Sequence, residues 1–62
     1  MKVRYRDKEW ELEGQRTVRE AIEDVGLTPE TVLAMHEGEL VGEDVVLDED
    51  DEIRLLAVIS GG

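Results

Sequence analysis

Hydrophobic and polar residues alternate from the first position of the chain. Met1, Val3 and Tyr5 fall on one side of a period-two pattern and Lys2 and Arg4 on the other, which predicts a half-buried strand. A polar break, Arg6-Asp7-Lys8-Glu9, leads to a second alternation in which Trp10 and Leu12 stand between Glu9, Glu11 and Glu13. Two such runs across a short break read as a β-hairpin, here without the Asn-Gly pair that most favours one. Gly14-Gln15-Arg16 ends it, and the period then changes. Thr17-Val18-Arg19-Glu20 has the spacing of a capping box, in which the threonine hydroxyl and the glutamate each satisfy the other's backbone amide. Val18, Ala21, Ile22 and Val25 follow at i, i+3, i+4 and i+7, one stripe of a helix. Gly26 suits the residue just past the helix end, Leu27 can fold back on the last turn, and Pro29 prevents continuation. A helix of about two turns does not hold alone, so its stripe must lie on a sheet.

The second half returns to period two. Thr31 to His36 predicts a third strand, with Val32 and Ala34 on one face and Leu33 and Met35 on the other. Glu37-Gly38 is a turn and Glu39-Leu40-Val41 a short fourth strand, broken by Gly42-Glu43-Asp44. Val45, Val46 and Leu47 give irregular apolar contacts before the charged turn Asp48-Glu49-Asp50-Asp51. Glu52 to Ile59 predicts the last strand. Ile53, Leu55, Ala57 and Ile59 share one face, and Arg54, Leu56, Val58 and Ser60 the other. The order β-β-α-β-β-β, with a hairpin crossed by one helix, predicts an α+β β-grasp: a mixed sheet of four to five strands packed on one helix. In that architecture the last strand lies parallel to the first at the sheet centre, which accounts for apolar residues on both its faces.

A chain of 62 residues makes one domain at most. The expected division is a folded domain over residues 1–58 and a flexible tail over 59–62. A domain this small buries only ~60% of its unfolded surface and encloses no large substrate cavity. Cysteine is absent, which excludes disulfides and a thiolate nucleophile. Seventeen acidic residues against seven basic ones give a net charge of −10. That field repels nucleic acid and anionic membrane and attracts basic proteins. Neither a membrane-spanning run nor a signal-peptide core stands in the sequence, so it reads as cytoplasmic.

Candidate chemistry is sparse. Asp48, Asp50 and Glu52 have alternating oxygens, but the run lacks the mid-loop glycine and distal glutamate of a calcium loop, and a solvated turn is expected. His36 has no second histidine or cysteine for a zinc site and is expected at a strand end. The other glycines are spaced as turns and caps, not as a phosphate loop. The carboxyl end stands apart. Gly61 and Gly62 lack Cβ atoms, so an extended arm of this kind passes through a channel too narrow for a side chain. Its α-carboxylate is ionised at neutral pH, an oxygen nucleophile on a thin arm. If Ile53 and Leu55 face the helix, Leu33, Met35, Leu56 and Val58 have the opposite parity and predict an exposed apolar patch leading to that arm, the kind of surface that marks a protein partner site. The alternative parity puts Leu33 and Met35 in the core.

With these residues in place, the chain resembles the ubiquitin-like small sulfur carriers of the MoaD/ThiS group. The similarity rests on the hairpin, the capped helix Thr17–Gly26, the Glu37-Gly38-Glu39 and Asp50-Asp51-Glu52 turns, and the ending Val58-Ile59-Ser60-Gly61-Gly62. It covers essentially the whole chain, and its tail resembles carriers for tRNA thiolation and archaeal protein tagging. The resemblance implies a carrier rather than an enzyme. It implies that Gly62 is the reacting terminus, that Gly61 and Ser60 thread a partner's channel, and that Arg54, Leu56 and Val58 belong to a docking face, to which Leu33 and Met35 add. It implies no bound cofactor or metal. MgATP would be used by a partner adenylyltransferase of the ubiquitin-activating type, and sulfur would come from a sulfurtransferase or cysteine desulfurase. A downstream thiolation or biosynthetic enzyme would receive it, and lysines of target proteins are further acceptors in such families. Thiamine or molybdopterin synthesis is an alternative destination. A pure ubiquitin-like tag and a β-grasp binding module with incidental glycines are readings of another class.

Overall fold

A computed structural model describes residues 1–58. Five strands form one mixed sheet in the order β2-β1-β7-β4-β5, where β1 is Lys2–Tyr5, β2 Lys8–Glu11, β4 Val32–His36, β5 Glu39–Val41 and β7 Glu52–Ala57. Only the central β1–β7 pair is parallel; the other three pairs are antiparallel. A second ladder pairs β3, Arg16–Thr17, with β6, Val46–Leu47. Among the described residues the single α-helix, α1, spans Val18–Asp24. This is the β-grasp expected from the order of elements.

The helix ends are closed by the residues that predicted them. The Glu20 amide donates to Thr17 Oγ1 at 3.1 Å, and the Thr17 amide donates to Glu20 Oε1 at 2.9 Å. That second bond, with the Thr17 hydroxyl, holds the Glu20 carboxyl below its ordinary value. At the other end Gly26 has φ of 85°. The Gly26 amide donates to the Glu23 carbonyl and the Leu27 amide to the Ile22 carbonyl, the paired bonds of a Schellman motif.

Val18, Ala21 and Ile22 face the sheet and meet Val3, Val32, Ala34, Ile53 and Leu55, all nearly inaccessible to water. Val25, the fourth residue of the predicted stripe, is half-buried at the helix cap. Met1 and Leu47 complete the core at its lower edge.

Three details differ from the sequence reading. The first hairpin turns on Arg6-Asp7 alone, and Lys8 and Glu9 pair as strand with Tyr5 and Arg4. Thr31 belongs to a 3₁₀ turn, Pro29–Thr31, because the proline fixes a helical φ there, and β4 starts at Val32. The last strand stops at Ala57: it shares the parity of Ile53 and Leu55 but stands exposed. Ile59, Ser60, Gly61 and Gly62 lie outside the described residues.

Candidate functional site

The face of the sheet turned away from α1 carries the predicted patch. In the β4–β7 ladder Leu33 stands directly opposite Leu56, and Met35 opposite Arg54. Leu33 and Leu56 are 47% and 40% exposed, a high value for leucines in paired strands, while Met35 is half-buried. Arg54 is exposed and, across the other ladder, stands beside Arg4. Val58 follows the strand. It is also exposed, and its amide donates to the Thr31 carbonyl at 2.9 Å, which fixes the last described residue to the end of β4. Four predicted residues, Leu33, Met35, Arg54 and Leu56, are therefore brought together, with Val58 at their margin. Ser60, Gly61 and Gly62 fall on residues that are not described.

Two members of this face escaped the sequence reading. Leu40, 64% exposed, stands on β5 beside Met35 and extends the apolar strip to the sheet edge. Arg4 joins Arg54 and is held by Glu9 and Glu52 at 3.0 and 2.9 Å. Their parity was readable, but their place beside the patch depends on register between distant strands.

The base of β7 is held by a polar corner. His36 ends β4, and its Nδ1 lies 3.0 Å from the Glu52 carbonyl, with the Asp51 carboxylate 3.8 Å and the Glu37 carboxylate 4.0 Å from Nε2. The Glu52 carbonyl accepts an Nδ1–H and, with Asp51 and Glu37 assisting, raises the imidazole above its ordinary value of 6.5. Because the folded value is raised, the stabilisation is fully present below about 6.5 and is lost as pH rises through the folded value. A nuclear magnetic resonance titration should give a His36 midpoint above 6.5 that returns to the ordinary value in urea, and His36→Gln should remove the matching fall in melting temperature. A midpoint below 6.5 would contradict the assignment.

The acidic run after Leu47 closes its own turn rather than a cation cage. The Asp48 amide donates to Asp51 Oδ2, the Asp51 amide to the Asp48 carbonyl, and the Gln15 side-chain amide to Asp48 Oδ1, at 2.9, 3.0 and 2.9 Å. Among the described residues no group of three or more carboxylate or imidazole side chains is placed to hold a metal, and no helix is long and apolar enough to cross a membrane. The arrangement can present a patch and hold the strand that carries the tail.

Comparison with known proteins agrees with this geometry. The ThiS family matches residues 2–62. The chain is also 44% identical over 55 residues to the sulfur carrier protein TtuB of Thermus thermophilus, a match that covers 89% of this chain and 85% of that protein.

Proposed function

Because the chain belongs to the ThiS family, we propose that it is a sulfur carrier whose Gly62 carboxylate is the group acted upon. The observation that carries this reading is the family match itself, which runs through Gly61 and Gly62. The fold supports it. The tail follows the central strand, which is held on one side by β1 and on the other by β4. The four residues past Val58 reach at most ~14 Å, so the docking face and the carboxylate serve one partner surface.

The chemistry belongs to that partner. A Gly62 carboxylate oxygen attacks the α-phosphorus of MgATP on an adenylyltransferase, and pyrophosphate leaves. The terminal sulfur of a persulfide on a sulfurtransferase or cysteine desulfurase then attacks the acyl carbon, and AMP leaves. A thiol reduces the resulting acyl disulfide, releasing the thiocarboxylate and leaving the thiol and the enzyme cysteine oxidised as a disulfide. The product is a terminal thiocarboxylate that carries one sulfur. Gly61 and Ser60 keep the arm slender enough to enter the nucleotide site. We assign tRNA thiolation as the destination of the sulfur, on the resemblance of the tail and the identity to TtuB. The same acyl-adenylate, attacked by a lysine amine, would give an isopeptide link to a target protein.

The test is an intact mass. Incubation with the host's adenylyltransferase, ATP and a sulfur source should add ~16 Da, sulfur in place of oxygen at the α-carboxylate. A variant that lacks Gly62 should stay at its starting mass. Absence of the adduct on the full chain, or its persistence without Gly62, would remove the proposal. Covalent conjugates that survive reducing denaturation and vanish without Gly62 would establish the lysine branch.

A further inference from the structure

More than half of the basic residues of this acidic chain are gathered in one place. Four of the seven, Arg4, Arg6, Lys8 and Arg54, line an open hollow of about 590 Å³ on the outward side of the sheet, against Leu56. Asp7 and Glu9 share it and Glu52 pairs with Arg4 at its rim, so the cluster balances at +1 (four cations less three carboxylates) in a molecule of net charge −10. Register builds it. Arg4 and Arg54 are direct partners across β1 and β7, a juxtaposition of like charges that costs stability. Among the described residues only Arg4 is compensated, by Glu9 and Glu52. Arg6, Lys8 and Arg54 are exposed and pair with none of the described carboxylates, despite the excess of acid.

Arg6 adds an independent observation. Its φ is 58°, a conformation that glycine adopts freely and a longer side chain resists. Its guanidinium sits 5.3 Å from the centre of the Tyr5 ring. The turn thus holds a cation where folding alone favours glycine.

We propose that this hollow docks an acidic segment of the activating enzyme, next to the point where the chain leaves β7 toward Gly62. The identity of the enzyme rests on the sulfur-carrier reading above; the acidic chemistry of the segment rests on the hollow alone. A few Asp or Glu side chains match its cations, and arginine forks take carboxylates in a fixed orientation. RNA fits worse, because its phosphates continue past the hollow onto a surface dominated by carboxylates. The overall charge would select a basic partner; the face beside the tail selects the opposite sign. The contact therefore contributes orientation and register more than long-range attraction.

Two measurements test this. In the first, the full chain is titrated with a short synthetic peptide of alternating Glu and Leu and followed by amide shifts. The shifts should fall on Arg4, Arg6, Lys8 and Arg54 to Ala57. They should vanish in Arg54→Glu and in about 0.5 M salt, where screening acts within a few Å. Shifts centred on α1, or equal shifts with a short oligouridylate, overturn the proposal. In the second, Arg54→Glu and Arg6→Gly should each raise the KM of the adenylyltransferase for the carrier roughly tenfold with kcat unchanged. Arg6→Gly should at the same time keep or raise the melting temperature, since glycine accepts the positive φ. An unchanged KM in both variants overturns the proposal. If the wild-type chain forms no thiocarboxylate at all, the carrier reading falls, and the peptide titration still decides what the hollow binds.

Discussion

Replacing Ile53 with alanine is expected to remove about half or more of the stability of this domain. Ile53 is inaccessible to water at the centre of the sheet, with Val3 as its partner in β1 and the Val18-Ala21-Ile22 face of α1 above it. Truncating a buried isoleucine costs ~2–5 kcal/mol, the lost transfer energy plus the cavity left behind. A domain of this length has roughly 3–9 kcal/mol in total, at ~0.05–0.15 kcal/mol per residue. With no disulfide to limit the unfolded chain, the core is the main source of stability. Urea unfolding should show a midpoint reduced by about half or more for Ile53→Ala. Leu40→Ala, at a position 64% exposed, should stay within about 0.5 kcal/mol of the parent. Equal midpoints for the two variants would mean that the core does not run along β7.

The sequence places Ile53 in the core on one condition, that its face of the last strand is the one turned to the helix. The last strand has apolar residues at both parities, so parity alone leaves the buried face open. The short capped helix needs one sheet face but does not identify it, and the structure shows that Val18, Ala21 and Ile22 pack on the face of Ile53 and Leu55. The same condition governed the outward face of Leu33 and Leu56. Strand order followed from the sequence of elements.

What escaped was non-local and short. Arg16–Thr17 and Val46–Leu47 pair across thirty positions with two residues each, below the length at which alternation is visible. Leu47 consequently looked like one of three irregular apolar residues, yet it is buried while Val45 and Val46 are exposed. Its ladder lets the connection from β5 to β7 cross beneath the helix start, where the Val18 amide donates to the Val45 carbonyl and the Arg19 amide to the Glu43 carbonyl. Those bonds satisfy first-turn amides that the capping box does not reach, so the connection and the helix stabilise one another. The cationic hollow was hidden for a related reason. Arg4, Arg6 and Lys8 lie some fifty positions from Arg54, and only the parallel pairing of β1 with β7 brings them together.

The second large effect separates the two faces of one strand. Leu56→Asp is expected to raise the KM for the activating enzyme about thirtyfold or more, the size of a central hot-spot loss of ~2 kcal/mol. Leu56 stands opposite Leu33 on the outward face, borders the cationic hollow, and lies six residues before the terminus. A partner that takes the tail must pass over it. In the free carrier an aspartate there keeps its water and loses one exposed cross-strand contact, worth ~0.2–1 kcal/mol. Leu55→Asp, one position earlier, should instead unfold the protein, because Leu55 is 2% exposed and an unpaired carboxylate would enter the core. Urea midpoints and KM values for the pair decide the matter together. A midpoint for Leu56→Asp as low as that of Leu55→Asp would place Leu56 in the core. A stable Leu56→Asp with an unaltered KM would mean that the enzyme reaches the carboxylate without touching this face, and recognition would then have to lie in the tail alone.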